Sequence, residues 1–327
     1  MSRIKTLTAV LGLVILAGAG CQRKDLLEPH DHRNLTIRAH FDSLGLAQLL
    51  SQKSSCYSKP GEPRSTSYIL YEKNSQKVAY SGSFDALEGG MYVAEGIYDL
   101  LVYTTDFNEY DANFFRGMNS KETAETHTRQ SPVDEAQPRT DVREVYMVEP
   151  DPTFGVLTED VVVFQGQEDK VVDVEFVQKS FKYYLTIRAT GLQNIHTAKM
   201  NISGMYTTAF LTNEEHRMDE AGVQTVDMDI IRTKPSSAEE YGKGELYGEF
   251  WSFGPNQRES IVNSITLYFV NGDVIVKKLK DLTSQIKTLT KGGEIIVDEV
   301  IEIKGPAGGF QPGVGDWDDP TDVEIIL

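Results

Sequence analysis

Cysteine is almost missing from this 327-residue chain: it has two, Cys21 and Cys56, alongside two tryptophans and six histidines. Two thiols exclude a disulfide-stapled scaffold, and with no Cys-x-x-Cys there is no zinc ribbon or dithiol redox centre. His-Glu-x-x-His, a glycine-rich phosphate loop ending in Lys-Ser/Thr and a Gly-x-Ser-x-Gly elbow are equally absent, so the common metalloprotease, nucleotide and hydrolase signatures do not apply. Basic residues are short too. Thirty-two Lys+Arg face 49 Asp+Glu, a net charge of −17. Such a chain repels phosphate backbones, and no nucleic-acid partner is expected. No apolar run reaches the roughly 20 residues of a bilayer-spanning helix. What remains is a globular composition, 40% hydrophobic and 25% charged. At roughly 100–200 residues per domain, the length suggests two domains.

The first 20 residues carry Arg3 and Lys5 and no acid, then an apolar stretch from Leu7 to Leu16, then Ala17-Gly18-Ala19-Gly20 before Cys21. This order predicts a secretory signal peptide over 1–20. Small residues before a cysteine resemble a bacterial lipoprotein processing site, which makes Cys21 the expected lipidated first residue of the mature chain. Gly18 stands where such sites commonly carry leucine. The competing reading is an ordinary signal peptide with an incidental cysteine. Acyl chains contribute about 0.8 kcal/mol per buried methylene, so several anchor a protein without any peptide in the bilayer. Removal of 1–20 leaves 30 basic against 49 acidic residues, net −19. Residues 21–32 read as a lipid tether, with His30 and His32 as solvated linker rather than a metal pair. Cys56, in Ser54-Ser55-Cys56-Tyr57-Ser58, lacks a neighbouring base and reads as structural or incidental.

The body contains an internal echo. Leu35-Thr36-Ile37-Arg38-Ala39 recurs as Leu185-Thr186-Ile187-Arg188-Ala189. Both copies place Leu, Ile and Ala on one face and Thr and Arg on the other, the period-two pattern of a half-buried strand. Two domains opening with the same strand explain the echo; chance recurrence of a β-friendly string is the alternative. Further strands are expected at 66–72, 77–80, 96–103, 161–164, 172–176, 261–270, 274–276, 295–303 and 323–327. Asn271-Gly272 predicts a two-residue hairpin turn. Helical pattern is confined to 41–50 and to 281–289, where Asp281 is a capping candidate. Many strands with no helices between them predict an all-β fold of antiparallel β-sandwiches and exclude a doubly wound parallel sheet. The expected domains are 33–180, with a long irregular loop at 106–160, and 181–327. Glycines at 305, 308, 309, 313 and 315 predict a hinge before a final apolar strand, Val323 to Leu327. That strand closes its own domain or is donated to a neighbour.

Chemistry is sparse. With 49 carboxylates, an acid pair for glycoside hydrolysis has no diagnostic signal. Asp316, Asp318 and Asp319 lack the glycine and later glutamate of a regular calcium loop. Trp251 and Trp317 are expected in cores; an exposed tryptophan face would instead favour glycan binding. His127, His196 and His216 are scattered singly. No catalytic residue, metal site or cofactor is expected.

Taken together, Cys21 followed by Arg23-Lys24-Asp25-Leu26, the Gly96-Ile97-Tyr98-Asp99-Leu100-Leu101-Val102-Tyr103 strand, the Leu185–Ala189 segment and Gly315-Asp316-Trp317-Asp318 resemble fimbrillin-related lipoproteins of Bacteroides-type bacteria, in a DUF5119-like family. The resemblance implies two tandem transthyretin-like sandwiches, an outer-membrane lipid anchor, and a fimbrial subunit or accessory protein acting in adhesion. Its implied partners are other fimbrial subunits or host or bacterial surface ligands. It also implies trimming after a basic residue, near which Arg33 and Arg38 lie, and strand exchange between subunits. The alternative function is a surface glycan-binding lipoprotein of a nutrient-uptake system.

Overall fold

The computed structural model describes residues 33–42, 45, 47–48, 51, 65–104, 113–131, 145–164, 169–216, 220–237, 241–303 and 323–325. Cys21, Cys56, His30, His32, the 305–315 stretch, Asp316, Trp317, Asp318 and Asp319 lie outside them. The first half runs through β1 (Leu35–Phe41), β2 (Thr66–Glu72), β3 (Val78–Phe84), β4 (Glu88–Met91), β5 (Gly96–Thr104), β6 (Asn113–Arg116), β7 (Glu125–Thr128), β8 (Tyr146–Met147), β9 (Phe154–Val163) and β10 (Lys170–Gln178). The second follows with β11 (Phe181–Thr190), β12 (Ile195–Tyr206), β13 (Thr208–Phe210), β14 (Ala221–Arg232), β15 (Gly244–Ser252), β16 (Asn263–Phe269), β17 (Val274–Lys278), a short helix α1 (Thr283–Thr288), β18 (Gly293–Glu302) and β19 (Val323–Ile325). The fold is all-β.

In the first half, β4-β1-β10 turns a corner through only two residue pairs, Val177–Gly155 and Gln178–Phe154, into β9-β5-β2-β3. Leu35, Ile37, Val172 and Val174 from one wing meet Leu70, Leu100, Val102 and Val161 from the other in a single apolar cluster. The sheet is thus folded back as a β-sandwich. In the second half, β18-β11-β15 joins β14-β12-β16-β17-β19 where Asp229–Arg232 pairs with Gly244–Tyr247. Leu185, Ile187, Ile295 and Val297 pack there against Met200, Val226, Ile265 and Leu267.

The echoed strands hold equivalent places. β1 lies parallel to β10 and antiparallel to β4; β11 lies parallel to β18 and antiparallel to β15. In both, Leu, Ile and Ala are buried and Arg is exposed. The remaining wing repeats as well: β9-β5-β2-β3 in one half, β17-β16-β12-β14 in the other. The sandwiches are antiparallel apart from three parallel pairs, β1 with β10, β11 with β18 and β8 with β14. β10 and β18 each cross between wings and return beside the strand that opens their half, and a crossover of that kind gives a parallel neighbour.

The expected irregular loop at 106–160 is corrected by the strands it contains. It holds β6, β7, β8 and most of β9. β7 pairs with β13, and β8 runs parallel to β14. β6, β7 and β8 are two to four residues long, too short to show a period. The hairpin after β16 also differs from the two-residue turn. Phe269 N–H donates to Asp273 O and Gly272 N–H to Phe269 O, and Gly272 has φ 92° while Asn271 stays at negative φ. This is a three-residue loop with glycine in the left-handed position. The helical turn near 281–289 forms as α1, where the Asp281 carboxylate accepts from Thr283 N–H at 2.8 Å. At 41–50, Gly45, Ala47 and Gln48 are helical.

Candidate functional site

The two sandwiches meet where the strands of 113–160 bridge them, β7 on β13 and β8 on β14. Trp251 belongs to β15 of the second half, yet it packs in the core of the first and is 1% exposed. Its backbone N–H donates to the Glu149 carboxylate at 2.7 Å, and its carbonyl accepts from Gln224 Nε2 at 2.5 Å. Burial pushes the Glu149 carboxyl up to about 8, against the opposing pull of the Trp251 N–H and Lys182. Beside it Lys182, 1% exposed, pairs with Glu249 at 2.8 Å and also donates to the Ser51 carbonyl. Tyr247 donates to the second oxygen of Glu249 at 2.9 Å. A buried ion pair with its remaining atoms engaged fixes geometry more than it adds stability.

A second buried carboxylate holds the bridging segment to the first sandwich. Asp99, fully buried in the middle of β5, accepts from Lys73 at 3.0 Å, Lys121 at 2.7 Å and Asp160 N–H at 3.2 Å. Burial alone would raise its pKa; the lysines and the amide outweigh that and hold it below the usual carboxylate range. Asp160 sits at φ 58°, where β5 and β9 shift register between Tyr98 and Leu100. The irregularity turns the Asp160 amide onto Asp99.

None of these groups forms a nucleophile–base pair, and no cluster of three or more metal-ligating side chains occurs among the described residues. His127 stacks on Phe114 and His216 on Tyr206, while His196 packs edge-on to Tyr268. Burial lowers the His216 pKa. What the arrangement offers instead is sheet edge. β3 ends one sheet with Val78, Ala79, Ser81, Gly82 and Ser83 exposed and no charge between Val78 and Phe84. β18 ends another, but its exposed positions include Glu294, Asp298 and Glu302, charges that discourage pairing. The edge of β17 is covered by β19, with Ile275, Val276 and Lys277 opposite Ile325, Glu324 and Val323.

The strand order and the two cores define a two-sandwich β protein. The chain belongs to the family described as a domain of unknown function, DUF5119, whose model matches residues 20–227. No curated protein shows significant sequence similarity to it. Among solved structures, a candidate adhesin from Bacteroides ovatus is similar over 88% of this chain and 98% of its own, with TM-score 0.56 and 18% identity. The fimbrial anchor protein Mfa2 from Porphyromonas gingivalis matches 80% of this chain and 89% of its own, with TM-score 0.44 and 9% identity. The chain shares its fold with the first of these.

The bridging strands, the Lys182–Glu249 pair and the uncharged β3 edge escaped the sequence reading. A charge-free run after 77–80 was the one available signal for the last. Asp99 stood in plain view inside an otherwise apolar strand, an exception that marks a buried partnered carboxylate.

Proposed function

We propose that this chain is a lipid-anchored cell-surface fimbrial subunit or accessory protein, acting in adhesion or pilus assembly through protein contacts. Cys21 carries the lipid, 21–32 is the tether, and 33–180 and 181–327 are tandem transthyretin-like sandwiches facing outward from the outer membrane. The observation that carries the reading is the repeated seven-strand wiring, with β1 and β11 in equivalent places. Family membership and the fold shared with the candidate adhesin support it. Other fimbrial subunits, or ligands on host or bacterial surfaces, are the partners, and no enzymatic activity is assigned.

Edge pairing suits this role, since backbone hydrogen bonds supply affinity and alternate side chains supply register. The open β3 edge is the receiving surface, and β19 is the segment that can leave its own β17 edge to be given. Trp251 is buried and offers no platform for glycan binding. Two variants test the proposal. Cys21→Ser should release the chain from the membrane fraction. Ser81→Lys, a charge on β3, should leave the monomer folded and remove it from surface filaments. A Cys21→Ser chain that stays with the membrane, or filaments that still incorporate Ser81→Lys, would overturn the corresponding part.

A further inference from the structure

A cleft of about 490 Å³ opens beside the Lys179–Ser180 link between the sandwiches, inside the roughly 300–1,000 Å³ range of small-ligand sites. Its walls are aromatic: Phe181, Tyr206, Phe210 and Phe253, with the His216 ring lying flat on Tyr206 at 4.4 Å. Phe253 and Tyr206 are buried, and Phe210 is half-buried at the mouth.

Lys179 also lines this cleft and is only 5% exposed. Its ammonium donates to one acceptor, the Asn213 carbonyl at 2.8 Å. No carboxylate of the described residues lies within ion-pairing distance of it. Glu214 and Glu215 also line the cleft, and Glu214, which acts on Lys179 from beyond contact, is engaged at 3.0 Å by Lys291. An ammonium has three protons to place. A buried charge with no carboxylate in contact is costly, and burial brings the Lys179 amine down to about 8 against the longer-range pull of Glu214. Charge and shape therefore ask for the same thing: an anion whose apolar body fills the aromatic walls.

We propose that this cleft binds an organic carboxylate with an apolar or aromatic body, the carboxylate meeting the Lys179 ammonium and the body lying against Phe181 and Phe210. Neither the lipid anchor nor strand pairing is needed for it. The carboxylate can come from a free acid or from the C-terminal residue of a polypeptide.

Calorimetric titration of the full mature chain in detergent tests this. The probes are 3-phenylpropionate against 3-phenylpropionamide, and N-acetyl-Leu-Phe as free acid against its amide. The acids should bind at least tenfold more tightly than the matched amides, and Lys179→Met should erase that difference. Phe210→Ala should weaken acid and amide alike. Tighter binding of phenylpropionate assigns the source to a small acid; tighter binding of the dipeptide assigns it to a polypeptide terminus. Equal affinity of acid and amide, or no binding of either acid at 10 mM, would overturn the proposal. The comparison on the unsubstituted protein stands even where Lys179→Met fails to fold.

Discussion

Ile37 and Ile187 occupy the same place in the two sandwiches, each fully buried, and truncating either to alanine probes how the halves are coupled. An Ile→Ala change in a packed core costs about 2–5 kcal/mol, the transfer free energy of the removed carbons plus the cavity left behind. For a cooperative unit of roughly 300 residues, at about 2.1 cal/mol/K per residue, each kcal/mol lowers the midpoint by roughly 1.6 °C, so either variant should melt about 3–8 °C early. Trp251 is planted across the seam, β7 pairs with β13 and β8 with β14. The halves should therefore unfold together. Far-UV circular dichroism and Trp251 fluorescence, followed in a Trp317→Phe background, should give coincident single transitions for both variants. Two separated transitions, one moved only by Ile37→Ala and the other only by Ile187→Ala, would refute the coupling.

Asp99→Ala leaves Lys73 and Lys121 facing an empty pocket and should cost about 1–3 kcal/mol, read by urea denaturation. Gly191 has φ 77°, and a Cβ there would fall 1.8 Å from the Ile303 carbonyl oxygen. Gly191→Ala should thus destabilise by more than Gly272→Ala, which has φ 92° but open space around it and should cost about 1–2 kcal/mol; melting temperatures of the two variants decide. Glu149 has a folded pKa above its unfolded value, so the folded state keeps a proton that the unfolded state releases. Its contribution is complete below the unfolded value near 4.5 and is lost as pH rises from there through about 8. Glu149→Gln, which keeps an acceptor for Trp251 N–H, should show a flatter decline of stability over that interval.

The alternating burial of β1, β10 and β11 made the echo and the 172–176 strand legible in the sequence, and aromatic and branched content marked β5, whereas β4, four residues with two glycines, left no signal. The sequence reading missed β15, where Leu246 through Phe253 are buried almost without interruption, so no period-two signal survives at the seam. Gly248 belongs to the same problem: its backbone packs so closely on Val226 and Met228 that a Cβ would sit 2.8 and 2.7 Å from them. In the string, that glycine reads as a strand breaker. The parallel pairing of β1 with β10 was hidden for a different reason, since partner choice across more than 130 residues leaves no local mark. The Lys179 cleft was equally invisible. An isolated lysine among polar residues reads as solvated, and only the packing of the 210–216 and 253–257 loops around it shows the charge to be enclosed.

Immunogold electron microscopy of intact, unpermeabilised cells tests the central claim most directly. Antibody against this chain should decorate the cell surface, with gold on filaments or at their bases. Gold that appears only after permeabilisation, or surface gold that never coincides with filaments, would contradict the account.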